Sequence, residues 1–520
     1  MLRRKKILTV VLTVIMTASL SACKAATNGG SDSKGKIDTS KFVTVNYVML
    51  GNKPTNGQNE KVEKKWNAYL KKKLNANLKI DWVEWADWST KYNLLLASGQ
   101  SLDLIITASD WLDMWPNAQK GAFMNLDDLL PKYAPKTYAS IPKEDWEQCK
   151  YNGKIIAIPE DQYTQWTNHG FMYRGDWAKE FGITTPIKDW TTFGKYLQGI
   201  KDHKKGVIPW DIAGGGYSQF GGWVNSKTME IPIDGIPATC NLQALLNAKS
   251  ADDPYTVVNP FNEETLIDYA KTMKQWGDAG YWRQDVLNYK GDSLTQAKAG
   301  KNGTIQHHTQ TYLGDWYQMK QNQPSSDLKF FPFSAESNNL VSISITHGAT
   351  SVGASSKNPE RALMIYDLIR NDKKMYDYVN YGLEGVQYVL KDGKRALPDG
   401  YNDAKDSYSS GFWGGRNDKL EIQSATTYPD YKKLYAEYDK IKKPYPYGRF
   451  VFDKTNVDSE LSACSDVISK YLPAISFGKA GDPVKAVSDF RAKLKGAGID
   501  KIVAEAQKQL NAYKKLVEGK

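Results

Sequence analysis

The sequence is poor in the residues that most metal and nucleophile chemistry uses. It has four cysteines, at 23, 149, 240 and 464, with no CxxC pair, so neither a disulfide framework nor a zinc ribbon is indicated. Five histidines are spread over 169, 203, 307, 308 and 347. No HExxH zinc motif, GxSxG elbow, Walker A loop or EF-hand loop occurs, and neither a cofactor nor a metal is expected. His307 and His308 are adjacent, so on a strand they face apart and make poor co-ligands. Gly214–Gly216 lacks the dinucleotide-binding spacing and reads as a mobile turn. Carboxylate pairs such as Asp81 with Glu84 carry little weight among 58 acids, although two carboxylates are what a glycosidase needs. No apolar run reaches the roughly 20 residues of a membrane-spanning helix.

One shorter run is informative. Arg3, Arg4, Lys5 and Lys6 precede the uncharged, largely apolar stretch Ile7–Leu20, which ends in Leu20-Ser21-Ala22-Cys23. A basic start, a short apolar centre and a small residue before the cut make a signal peptide over residues 1–22. The Cys resembles that of the bacterial lipobox, which implies lipidation at Cys23, an extracellular location and a membrane anchor. Removing residues 1–22 takes away four positive charges and no negative ones, lowering the net charge from +11 to +7. Lys71-Lys72-Lys73 reads as the solvated face of a helix, and no nucleic-acid partner is expected. Residues 23–40 read as a lipidated N-terminus and flexible tether, rich in Gly, Ser, Asp and Lys.

At 520 residues the chain is too long for one ordinary core. Strand-like Lys41–Leu50, helical Glu60–Leu74, alternating Leu78–Glu84, helical Lys91–Ala97 and apolar Leu102–Ile106 imply an α/β body with a parallel sheet. Ligands bind beyond the carboxyl ends of such strands, which points to loops 51–59, 85–89 and 107–115. The C-terminal part, 458–517, reads as helical, broken at Pro473 and around 478–483.

What is abundant is polar aromatics, with 16 Trp and 31 Tyr against 15 Phe. Indole and phenol faces stack on the apolar faces of sugar rings, while carboxylates and amides bond the hydroxyls. Loop position and chemistry give Asp110, Trp111, Trp115, Trp166, Trp210, Asp211, Tyr217, Trp223, Trp316 and Trp413 as candidate ligand contacts. In Gly214–Trp223 the glycines could let Tyr217 and Trp223 close over a ligand. Trp66 and Trp276 read as packing.

Several stretches resemble a known family. Gly99-Gln-Ser-Leu-Asp103, Lys120–Asp127, Tyr151–Pro159, Tyr173–Gly182 with Pro186 and Trp190, and Ser356–Ala362 are similar, in order, to motifs of the extracellular solute-binding proteins of family 1. These are the lipoprotein receptors of bacterial ABC importers for sugars and oligosaccharides. Asn380–Tyr388 resembles that family's "nyGiEGvhY", with Gln387 where His is usual. The tail from Pro444 to Tyr513 resembles the C-terminal domain of unassigned function in LipO-like lipoproteins. The resemblance implies a type II periplasmic-binding fold: two α/β lobes, a ligand cleft and a helical C-terminal extension. It places lobe one at 41–160 plus 340–384, lobe two at 161–339 plus 385–520, and a hinge at 159–167. It also adds Glu384 to the candidates. A monomer that captures a carbohydrate and delivers it to ABC permease subunits is expected, without catalysis. A surface-anchored carbohydrate-active enzyme and a sensing lipoprotein without a transporter are the alternatives.

Overall fold

Strand β1 (Val43–Leu50) is rich in β-branched residues, carries Tyr47, and is buried along most of its length. Helix α1 (Gln58–Leu74) buries Val62, Trp66, Leu70 and Leu74, a spacing of four that keeps one stripe on the sheet. It stops at Asn75, which takes the left-handed conformation and returns its N–H to the carbonyl of Lys71. Strand β2 (Ala76–Val83), helix α2 (Trp88–Ala97), strand β3 (Leu104–Thr107) and helix α3 (Met114–Gln119) follow. The computed structural model describes residues 38–85, 88–109, 111–160, 168–233, 236, 244–413 and 415–519. The chain divides at Lys41, and the body from Phe42 onward carries everything below.

The first sheet runs β2, β1, β3, then strands Ala349–Val352 and Ile158–Pro159. The first three are parallel, as the alternation of elements predicts, and the last two are added antiparallel. A second sheet is wholly antiparallel, with His169–Arg174 between Thr304–His308 and Leu328–Pro332. Gly170 is required there, because a Cβ would lie 2.1 Å from the carbonyl oxygen of Phe331. Each sheet has its own core, one built around Tyr47, Trp66 and Tyr366, the other around Phe171, Trp190, Trp210 and Tyr269. This is the two-lobed α/β architecture of the type II periplasmic-binding fold.

Two differences from the sequence reading stand out. Residues 387–422, expected with the second lobe, pack on the first. Tyr408, Phe412 and Trp413 join its core, Leu420 and Ile422 cover Tyr376, Tyr381 and Tyr388, and the Asn59 amide donates to the carbonyl of Ser409 at 2.6 Å. Pro473 does not break its helix, which runs through Asp458–Ser476; so close to the helix end, few hydrogen bonds are at stake. That helix and helices Pro483–Gly496 and Ile499–Glu518 bury Cys464, Ile468, Phe490 and Leu510 in the second core. Cys149 and Cys464 are buried, while Cys23 and Cys240 lie outside the described residues. Among the described residues no helix is long and apolar enough to cross a membrane.

The chain leaves the first sheet after Pro159, takes up the second at His169, and returns to the first through 342–348. Glu160 N–H donates to the carbonyl of Gly348 at 2.9 Å, so the two crossings hold each other. Beneath them lies Arg370, 1 % exposed, on helix Pro359–Asn371. Its guanidinium donates to the carbonyls of Pro159 (2.7 Å) and Glu160 (2.5 Å). A buried, multiply bonded cation is costly to remove, because its acceptors stay desolvated. We expect Arg370→Met to lower stability by about 3 kcal/mol, read as a fall in the thermal midpoint. Arg370→Lys should recover only part of it, since an ammonium cannot span both carbonyls in one plane. An unchanged midpoint in both variants would contradict this role.

Candidate binding cleft

The first lobe contributes indoles. The turn after β2 presents Trp85, 42 % exposed, and the turn after β3 presents half-buried Trp111. Trp413 comes from the 387–422 segment. Its ring lies 5.3 Å from that of Trp85, nearly parallel at 8°, and 5.5 Å from that of Trp111 at 30°. Trp88 meets Trp111 edge-on at 5.6 Å. Trp111 Nε1–H donates to the carbonyl of His347 at 3.0 Å, tying this cluster to the second crossing. Ser109 N–H likewise donates to Thr346 at 3.1 Å.

The second lobe answers with polar groups. His169 opens the central strand of its sheet, and His307 and His308 close the neighbouring strand. The rings of His307 and His308 lie 4.3 Å apart, and those of His169 and His308 5.6 Å apart. The two neighbours do not face apart as expected, because the strand ends at His308, which caps helix Thr309–Asn322 by accepting from Thr311 N–H. Gln306 Nε2 approaches His169 Nδ1 at 3.2 Å, its carbonyl oxygen accepts from the Tyr217 hydroxyl, and Gln219 donates to that same hydroxyl. His347, in the second crossing, acts electrostatically on His169 and His308. His169 and His308 are half-buried, and His307 is exposed at the strand end. That burial, reinforced by the neighbouring histidines, pushes His169 and His308 down to about 3, and desolvation by the nearby protein also lowers His307. Burial raises Glu160, with His347, Arg416 and Arg370 opposing it.

The candidates chosen from sequence therefore separate. Trp111 and Trp413 come together, and Tyr217 stands with the histidines. Trp115 lies in α3 and is core. Trp210 is fully buried against Phe171. Trp223 is not a lid: it lies in helix Phe220–Lys227, packed on Trp190 and Tyr269. The glycines before it are no mobile turn, since a Cβ on Gly214 would strike Phe477 and Val286. Trp316 packs on Tyr428 in a small satellite core. Asp211 is 2 % exposed, 3.6 Å from Arg283, with burial raising its carboxyl. Glu384 is exposed and bridges to Tyr388. Gln387 is structural: its side chain accepts from Leu383 N–H at 2.8 Å and donates to Asp406 at 3.1 Å. Asp110, Trp166 and the hinge residues 161–167 lie outside the described residues. Trp85 and the histidines are absent from the sequence list. Loop position pointed to 85–89, but nothing local links His169, His307, His308 and His347. Among the described residues no group of three or more His, Cys, Asp or Glu is arranged to hold a metal ion.

The model of a bacterial extracellular solute-binding protein matches residues 54–363. The chain belongs to that family. A second match, to a domain of unknown function (DUF3502), spans residues 446–515 of this solute-binding protein. It is 25 % identical over 516 residues, 96 % of each chain, to a carbohydrate ABC transporter substrate-binding protein of Streptococcus pneumoniae serotype 4. It is 23 % identical to lipoprotein LipO of Bacillus subtilis, over 62 % of this chain and 64 % of LipO. Its fold matches the N-glycan transport solute binding protein NgtS of S. pneumoniae with a TM-score of 0.72, at 22 % identity, over 91 % of this chain and 99 % of that one. NgtS in complex with Man5GlcNAc matches at 0.65, with 22 % identity and 91 % and 98 % coverage.

Indoles at this separation couple their transitions. Trp413→Leu should reduce the exciton signal of the indole band in the circular dichroism spectrum and leave the helical signal intact; an unaltered indole band would place Trp413 outside the stack.

Proposed function

We propose that this solute-binding protein captures an oligosaccharide between its two lobes and delivers it to ABC permease subunits, without catalysis. The observation that carries the reading is the indole cluster of Trp85, Trp413 and Trp111 at the carboxyl ends of β2 and β3, facing the amides and imidazoles of the second lobe. Stacking favours the apolar face of a pyranose, and neutral imidazole and amide groups both donate and accept, as sugar hydroxyls require. Such a ligand can favour an arrangement of the lobes only by binding it better than the alternatives. The carbohydrate named for the S. pneumoniae relative and the mannosyl glycan bound by NgtS support the same class. Cys23 as a lipid anchor on the outer face of the membrane completes the reading, supported by its place after the signal peptide and by the name lipoprotein of the LipO relative.

Calorimetry with a panel of neutral oligosaccharides, including Man5GlcNAc, tests the capture. Binding should appear with at least one sugar and weaken about five-fold or more in Trp111→Ala, since a stacked aromatic contributes on the order of 1 kcal/mol. No binding by any sugar, with binding of peptides or phosphate esters instead, would overturn the sugar class. For the anchor, Cys23→Ala should abolish incorporation of labelled palmitate and release the protein into the medium. Palmitate retained in that variant would place the modification at another residue.

A further inference from the structure

Three of the five histidines in 520 residues meet at one place, although 169 and 307–308 are far apart in the chain, and a fourth, His347, acts electrostatically on His169 and His308 from the second crossing. His169 is the first residue after the first crossing, apart from Asn168, and His347 lies within the second. Three rings stand on the second lobe within 4.3–6.4 Å of one another. The fourth belongs to a crossing fixed to the first lobe through Trp111. The histidines therefore straddle the line along which the lobes must move.

The surroundings set the sign. Glu160 ends the strand of the first crossing, beside His347, with Arg370, Arg416 and Asp418 around it. Asp315, on the helix that His308 caps, faces His307, with Lys298 and Asp292 around it. Burial raises both carboxyls, so their negative charge fades as acid is added. Arg370 and Arg416 add fixed positive charge on the same side.

We propose that protonation of this histidine cluster drives the two lobes apart and weakens sugar capture, making the cleft acid-sensitive. The inference rests on the capture reading for its sugar arm and on the geometry alone for its lobe-separation arm. The linkage runs one way. A histidine held neutral in this arrangement and free to charge when the lobes part stabilises the arrangement fully above its ordinary pKa of about 6.5 and loses that contribution as pH falls below it. Each such histidine weakens the arrangement by up to about ten-fold per pH unit in that range.

The mature chain without lipid is compared with the double variant His169→Gln, His308→Asn. Asparagine keeps a helix cap at 308, and glutamine keeps a partner for Gln306. By small-angle X-ray scattering without ligand, the radius of gyration of the wild type should rise between pH 7.5 and pH 5.0 at unchanged helical circular dichroism, and that of the variant should not. A radius constant in the wild type, or rising equally in both, overturns the proposal. With Man5GlcNAc or the tightest sugar of the panel, affinity should fall more than ten-fold between pH 7.5 and 5.5 in the wild type and less than three-fold in the variant. Equal slopes overturn it. If no sugar binds at pH 7.5 while the radius still responds to acid in the wild type alone, the capture reading fails and lobe separation by protonation stands.

Discussion

The buried guanidinium of Arg370 is the contact on which the two-lobed arrangement turns. A chain that must leave one sheet and enter another exposes carbonyls at the point of crossing, where neither sheet can pair them. Arg370 donates to two of these, on Pro159 and Glu160, from a helix of the first lobe. Glu160 then reaches the second crossing at Gly348. Two strands of chain that could each bend freely are thus joined to each other and to one helix.

The cleft follows from where those crossings run. The second passes over the turn after β3, so Thr346 and His347 accept from Ser109 and from the indole of Trp111. That holds Trp111 where Trp413 can stack on it, and Trp85 on Trp413. The rings pack mainly on one another and leave Trp85 open to solvent. An aromatic surface that is ordered before ligand arrives costs less entropy to use. The second lobe contributes imidazoles and amides, groups that can both donate and accept.

Much of this was legible in the chain. The apolar spacing of Val62, Trp66, Leu70 and Leu74, the alternation of strand and helix up to β3, and the motifs around Tyr151–Pro159 and Tyr173–Gly182 led to the fold and the family. Loop position led to the turns that carry Trp85 and Trp111. The selection of individual rings was poorer. Trp210 and Trp223 have the same polar–aromatic neighbourhood in sequence as a binding loop, but both are core, because burial is decided by what packs on the far side. The segment 387–422 was assigned to the wrong lobe for the same reason. Its partners, Asn56, Gln58 and Asn59, are more than 300 residues away.

Sequence alone therefore determined the elements, the signal-like N-terminus, the absence of local catalytic motifs and the family, since each is written in spacing over a few residues. The tertiary structure decided which aromatics are core and which gather around Trp111, and that the scattered His169, His307 and His308 come together. Those are properties of distance in space, set by the crossings and by the register of one sheet against its neighbours, and no local pattern encodes them.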